Sequence, residues 1–165
     1  MTVRRAGRPR AARPFPHEAR AHAMNRAPEG QTDLQRLLSG IDPLLDEVIY
    51  TFCTVPCDTL GTPAGCICSF DEREGRTLIL PLETARECGL QAAGEWARIT
   101  LQIHSSLEAV GFIATVATAL AREGISANVM SGYYHDHVFV QWVRRHQAID
   151  AIRCLALDAG PASAA

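Results

Sequence analysis

Residues 99–140 read ITLQIHSSLEAVGFIATVATALAREGISANVMSGYYHDHVFV, and the period of their apolar residues switches from two to helical and back. Residues 99–103 alternate apolar and polar side chains, as a strand with one buried face does. Ser105 and Glu108 then stand at the spacing of a capping box, in which the serine oxygen accepts a first-turn N–H and the glutamate reaches back to the N–H of Ser105. Leu107, Val110, Gly111, Ala114, Ala117, Leu120 and Ala121 follow at helical intervals, so the pattern predicts a helix over 105–123. Arg122 suits its last turn, Gly124 a left-handed cap, and Ile125 the apolar contact that follows such a cap. Ile125, Ala127, Val129 and Ser131 alternate again; after a turn near 134–136, Val138 and Val140 lie on another strand. A second helical pattern begins after Arg144.

Upstream the pattern is similar but looser. Asp33 can cap a short helix carrying Leu34, Leu37, Leu38 and Ile41, which ends near Gly40 and Pro43. Residues 48–55 are rich in β-formers, and 56–65, with two prolines and two glycines, form a loop. Residues 66–70 and 77–80 predict a hairpin around the charged turn 71–75. Pro81 opens a helix that runs to Cys88, and Gly89 stops it.

Strand, helix, strand, strand and a further helix make the first elements of a ferredoxin-like βαββαβ unit. The residues that carry this order also resemble the ACT domain, a small-molecule-sensing module of amino-acid metabolism. The shared features are a glycine early in the first helix (Gly111 in Val110-Gly-Phe112), the LAREGIS helix exit at 120–126, and the paired strands after it. Residues 34–155 as a whole are similar to a group of small bacterial ACT proteins, which resemble the paired ACT domains of aspartate kinase and of cytosolic arginine sensors. The commonest ACT pattern has an acidic residue three positions before the glycine; Glu108 stands there, inside the predicted helix start. The resemblance implies an α+β protein of two ACT-like units, with antiparallel sheets and helices on one face. The first unit, 31–93, is irregular because a loop replaces its first helix; the second spans 94–158. It further implies a non-catalytic sensor that binds an amino acid where helix 105–123 meets a neighbouring ACT unit. Such a sensor acts by allosteric regulation and self-associates as a homo-oligomer.

The chain has 165 residues, enough for one domain or two very small ones, with 47% hydrophobic and 21% charged residues. Its net charge of −2 hides an asymmetry. Residues 1–30 hold seven arginines and two acids, whereas the rest holds nine arginines and sixteen acids. An acidic body argues against nucleic-acid binding by the folded part. The mostly apolar run 109–121 is far short of the roughly 20 residues a membrane span needs. No apolar core follows the N-terminal arginines, so no secretory signal is read, and six cysteines without one imply free thiols in the cytoplasm. Residues 1–30 read as an Arg-, Ala- and Pro-rich disordered tail, a contacting arm, or a start assigned too early, with Met24 as the alternative beginning. The tail 159–165 reads as frayed.

The first chemical candidate is the junction His104-Ser105-Ser106, where a strand feeds a helix N-terminus whose free N–H groups attract anions. A ligand carboxylate could bond to N–H groups along Glu108, Ala109, Val110, Gly111 and Phe112, with Gly111 permitting close approach. A helix terminus contributes about 0.3–1 kcal/mol, or up to about 2 when partly buried. Micromolar binding needs about 8 kcal/mol, so an ammonium acceptor and side-chain contacts are also required. Glu108 is one candidate acceptor, and Asn128, facing opposite to Val129, is a second polar contact. Periodicity alone favours a plain helix cap at Ser105 and Glu108, and only the resemblance brings a ligand site level with it; at Asn128 a solvent-facing side chain is the equal alternative. The YYHDH segment at 133–137 invites a metal reading, but two histidines and an acid within three residues are weak evidence for one, because a tetrahedral site needs ligands held from separate directions. Cys53, Cys57, Cys66 and Cys68 lack paired CxxC spacing and read as small apolar thiols. No metal, cofactor or catalytic residue is therefore assigned: no G-x-S-x-G elbow surrounds Ser105, and no phosphate loop is present. The readings left standing beside the sensor are an adaptor that keeps the fold without a ligand and a zinc or thiol-redox protein.

Overall fold

The computed structural model describes residues 29–160; the expectations for 1–28 and 161–165 lie outside them. One six-stranded antiparallel sheet, in the order β2-β3-β1-β4-β6-β5, organises these residues. The chain runs α1 (Leu34–Ser39), β1 (Pro43–Val55), β2 (Cys68–Asp71), β3 (Arg76–Pro81), α2 (Leu82–Glu87), β4 (Ala93–Leu101), α3 (Phe112–Arg122), β5 (Asn128–Ser131), β6 (Asp136–Gln141), a 3-10 turn (Trp142–Arg144) and α4 (Arg145–Ala159).

Two ferredoxin-like units interlock in this sheet. Strands β1, β2, β3 and β4 with α2 form the first, and residues 56–67, without helix or strand, stand where its first helix would be. Strands β4, β5 and β6 with α3 and α4 form the second, whose fourth strand is the start of β1, paired through Pro43–Leu101 and Leu45–Ile99. Each central strand thus serves both units, as first strand of one and last strand of the other. The alternation set by register puts every helix on one face. There Ala97, Ile99, Leu101, Val138 and Val140 pack against Phe112, Val116 and Leu120 of α3 and Ala148, Ile149 and Ile152 of α4. Leu37 and Leu38 of α1 join this second-unit core from the far end of the chain. Helix α2 covers Cys53, Val55, Leu78 and Leu80 of the same face with Ala85.

The opposite face buries Tyr50, Ile79 and Phe139 beside Phe52, Trp96 and Met130. Its rings meet edge to face, Tyr50–Phe139 at 5.9 Å and Phe52–Trp96 at 5.5 Å, the geometry that ring quadrupoles favour. Beside them Arg98 bonds Asp46 at 2.5 Å and the Tyr50 hydroxyl donates to the same carboxylate at 2.8 Å. Burial opposes ionisation of Asp46, but the Val48 N–H, the Tyr50 hydroxyl and Arg98 together outweigh it and hold its carboxyl below the usual range. Burial and the Asp46 bond push the Tyr50 hydroxyl up to about 12.

Several local expectations are met. Asp33 accepts the Arg36 N–H at 2.8 Å and caps α1. At the end of α3, Gly124 has φ +66° and its N–H bonds Ala121 O, while Ile125 N–H bonds Leu120 O; this is the paired closure of a Schellman motif. Gly89 closes α2 in the same way, with Leu90 N–H on Ala85 O. One expectation fails. The helix predicted over 105–123 begins only at Phe112, and its N-cap is Gly111. Residues 102–111 are loop and turn instead, because tertiary partners take the polar groups the capping box needed.

Candidate functional site

The β4–α3 loop leaves the sheet at Leu101, and two other segments fasten it. From the N-terminal side, Gln31 forms a parallel bridge: its N–H bonds His104 O at 2.8 Å, and its carbonyl accepts the Ser106 N–H at 2.9 Å. Gly30 lies so close that a Cβ there would sit 2.5 Å from Ser106 N. From the sheet side come the turn 132–135 and the start of β6. His135 Nδ1 lies 3.3 Å from Ile103 O, and the Tyr134 ring meets that of His104 at 5.1 Å, tilted by 53°. Asp136 reaches Ser105, whose hydroxyl donates to its Oδ2 at 2.8 Å.

This pairing explains the lost capping box. Ser105 is buried, its hydroxyl is given to Asp136 and its N–H to Ile103 O, so it cannot cap a helix. Glu108 is exposed, and its own N–H bonds Ser106 Oγ at 3.2 Å. The chain enters α3 through Gly111 at φ +89°, a conformation that a side chain would strain. Leu34 of α1 lies 3.5 Å from where that side chain would start.

A cleft of about 100 Å³ opens between this loop, the first turn of α3 and the edge of the sheet. Ser105, Ser106, Ala109 and Phe112 line it, as do Leu107, Ile113, Ser131 and Asp136. The first-turn N–H groups of α3 have no partner within the helix by construction, and no acidic residue stands in that turn to neutralise the positive helix end. The structure thus brings Ser105, Ser106, Ala109 and Phe112 together. His104 stays behind the loop against Tyr133 and Tyr134, while Val110 and Glu108 face solvent. Asn128 is not brought in. It pairs with Phe139, on the sheet face away from the helices and three residues along β5 from Ser131.

Sequence reasoning missed Asp136 as a cleft residue. Its signal was present: Asp136 shares the parity of Val138 and Val140, so strand alternation puts a carboxylate on the buried face, where few are found. The same alternation separates it from His137, which turns to the other face and contacts Thr100 Oγ1 at 3.0 Å. Burial first, then Arg98 and His135, hold the His137 imidazole below its ordinary range, against the pull of Asp136. Among the described residues no group of three or more His, Cys, Asp or Glu side chains is arranged to hold a metal. Cys66 Sγ donates to Cys68 O at 3.2 Å, and burial pushes the Cys53 thiol up. A wider groove, about 340 Å³, runs from Gly111, which does not line the cleft, along α3 past Ala114, Thr118 and Arg122 and beside Leu155 of α4. The hydroxyls of its two threonines, Thr115 and Thr118, are bonded to helix carbonyls, which leaves Arg122 as its polar anchor.

Two models of the ACT domain match the chain, over residues 29–97 and 95–154. The chain belongs to the ACT-domain family. Among solved structures it is similar to a Vibrio cholerae protein of unknown function described as a possible transport protein. The two are 44% identical with a TM-score of 0.66, over 74% of this chain and 95% of that one. An Agrobacterium tumefaciens protein aligns at 15% identity and TM-score 0.60, over 70% of this ACT protein and 89% of its own length. The ligand-free regulatory subunit of aspartate kinase from Thermus thermophilus aligns at 13% and 0.52, over 70% and 98%. These last two likenesses concern the fold alone. No curated protein matches the chain. Among the described residues no helix is long and apolar enough to cross a membrane.

Proposed function

We propose that this ACT protein is a non-catalytic cytoplasmic sensor that binds a small zwitterion, an amino acid, at the N-terminus of α3. The observation that carries the reading is the cleft lined both by the first turn of α3, which holds no acidic residue, and by the buried Asp136. At about 100 Å³ the cleft is small beside the roughly 300 Å³ or more of an ordinary ligand pocket. A second copy of the chain supplies the missing wall in a homo-oligomer. Ligand binding then shifts the assembly equilibrium by its differential affinity for the two states, about 1–3 kcal/mol in typical coupled systems. Catalysis has no support in this arrangement: the Ser105 hydroxyl donates to a carboxylate, and the nearby His135 ring lies against a backbone carbonyl rather than against that hydroxyl.

Thermal unfolding in the presence of each of the twenty amino acids tests the proposal. An amino acid at a hundred times its dissociation constant adds about 2.7 kcal/mol of stability, a rise of several degrees in Tm that grows with concentration. An unmoved Tm across the whole set, at millimolar concentrations, leaves the adaptor reading in its place.

A further inference from the structure

Because every helix packs on one face of the sheet, among the described residues the other face has no layer of secondary structure over it. Phe52 and Trp96 stand at its middle, on the central strands β1 and β4, and both are only half-buried. Leu44 and Phe70, further out on the same face, are 53% and 66% exposed. Residues 31–165 hold sixteen acids against nine arginines. Yet of the residues that register puts on this face, Arg98 is the one fixed charge, and Asp46 neutralises it at 2.5 Å. Aromatic side chains with a methionine and an arginine, and few acids, make the composition of an interface centre. The two buried side-chain polar atoms that lack a partner among the described residues belong to this face as well. Arg98 Nε is a donor and Gln141 Oε1 an acceptor, on residues diagonal to each other across β4 and β6. Buried polar groups are rarely left so, and two on one face mark a surface whose partners are not all within one copy.

The occupant that fits these features is a second copy of the chain. Two acidic bodies repel over most of their surfaces, so self-contact is least opposed where the net charge is nil. Six strands about 4.8 Å apart and about 20 Å long present a face on the order of 600 Å² before side-chain relief is counted. An interface of standard size takes about 800 Å² from each partner, a scale that this face approaches and a small ligand would cover only in part. We propose that the helix-free face is a homodimer interface, in which two copies stack sheet on sheet about a two-fold axis with Phe52 and Trp96 at the centre. Sheets stacked in this way lie about 10 Å apart with their strands about 30° from parallel. A two-fold contact brings the same patch to both sides, so each copy meets the other's free donor and acceptor at Arg98 and Gln141. The interface lies across the sheet from the cleft, which opens beside α3, and it forms whether or not the cleft holds a ligand.

The test is sedimentation of the full chain over a dilution series, paired with hydroxyl-radical footprinting of the unmodified protein at the same concentrations. The mass is expected to double as concentration rises, and labelling of Leu44, Phe70, Trp96 and Met130 to fall threefold or more through that range. Leu107 and Val110, exposed on the cleft loop, report any separate contact on the helix side. Leu44→Glu and Phe70→Glu, at exposed positions, put uncompensated charge on the face and raise the dimer dissociation constant tenfold or more. Val110→Glu leaves it within about twofold. A chain that stays monomeric up to high micromolar concentration overturns the interface, and so does association in which protection is confined to Leu107 and Val110. Neither result touches the amino-acid screen, which judges the sensor reading separately. Footprinting needs no substitution, so the outcome stands even if a variant fails to fold.

Discussion

At the scale of single residues, two positions show how backbone and charge are committed. Gly111 enters α3 at φ +89°, so Gly111→Ala puts a side chain into left-handed backbone at a helix start. Unfolding in urea is expected to show a loss of about 1–3 kcal/mol, the usual cost of such strain. His137 illustrates the second commitment. Its imidazole is held below the ordinary range by burial, by Arg98 and by His135, so the unfolded chain takes up that proton at a higher pH than the folded one. The stability this neutral ring contributes is present above about pH 6.5 and is lost as pH falls through the folded value. Urea midpoints measured from pH 8 to pH 5 are expected to fall, and to fall less in His137→Phe. The Asp46 carboxylate, also held low, keeps its contribution down to about pH 4 and loses it only below, a separate window.

At the scale of elements, what was legible in the sequence was what is local. Alternation located the strands, and the glycines that end α2 and α3 could be read directly because a Schellman closure involves only residues of one turn and the two that follow. The start of α3 was misread for the complementary reason. Ser105 and Glu108 have capping spacing, but the serine hydroxyl is claimed by Asp136, 31 residues away, and no local pattern encodes that competition. The Gln31 strap left no periodic trace either, since one bridge of two hydrogen bonds has no period to detect. Asp136 differs from both. A charged residue in phase with Val138 and Val140 was a readable anomaly, hidden because the two flanking histidines suggested metal chemistry.

At the scale of the whole molecule, the sharing of β1 and β4 makes the two ACT units mutually dependent. Each borrows its last strand from the other, and α1, first of the described elements, is built into the core of the second unit. Pairings between strands this far apart in sequence are outside any window of local pattern, so the interlock emerged only with the fold. It also gives the cleft its frame: one side is the edge of the sheet at β5 and β6, another is the start of α3, and the loop between is tied down by Gln31 and by Asp136. Amide NMR of the isotope-labelled protein, titrated with the amino acid that most raises Tm, tests the central claim most directly. The account predicts that Phe112, Ile113, Ser131 and Asp136 move first and saturate together. Saturating shifts confined to the α3 groove at Ala114, Thr118 and Arg122, or to the loop 56–67, would contradict it.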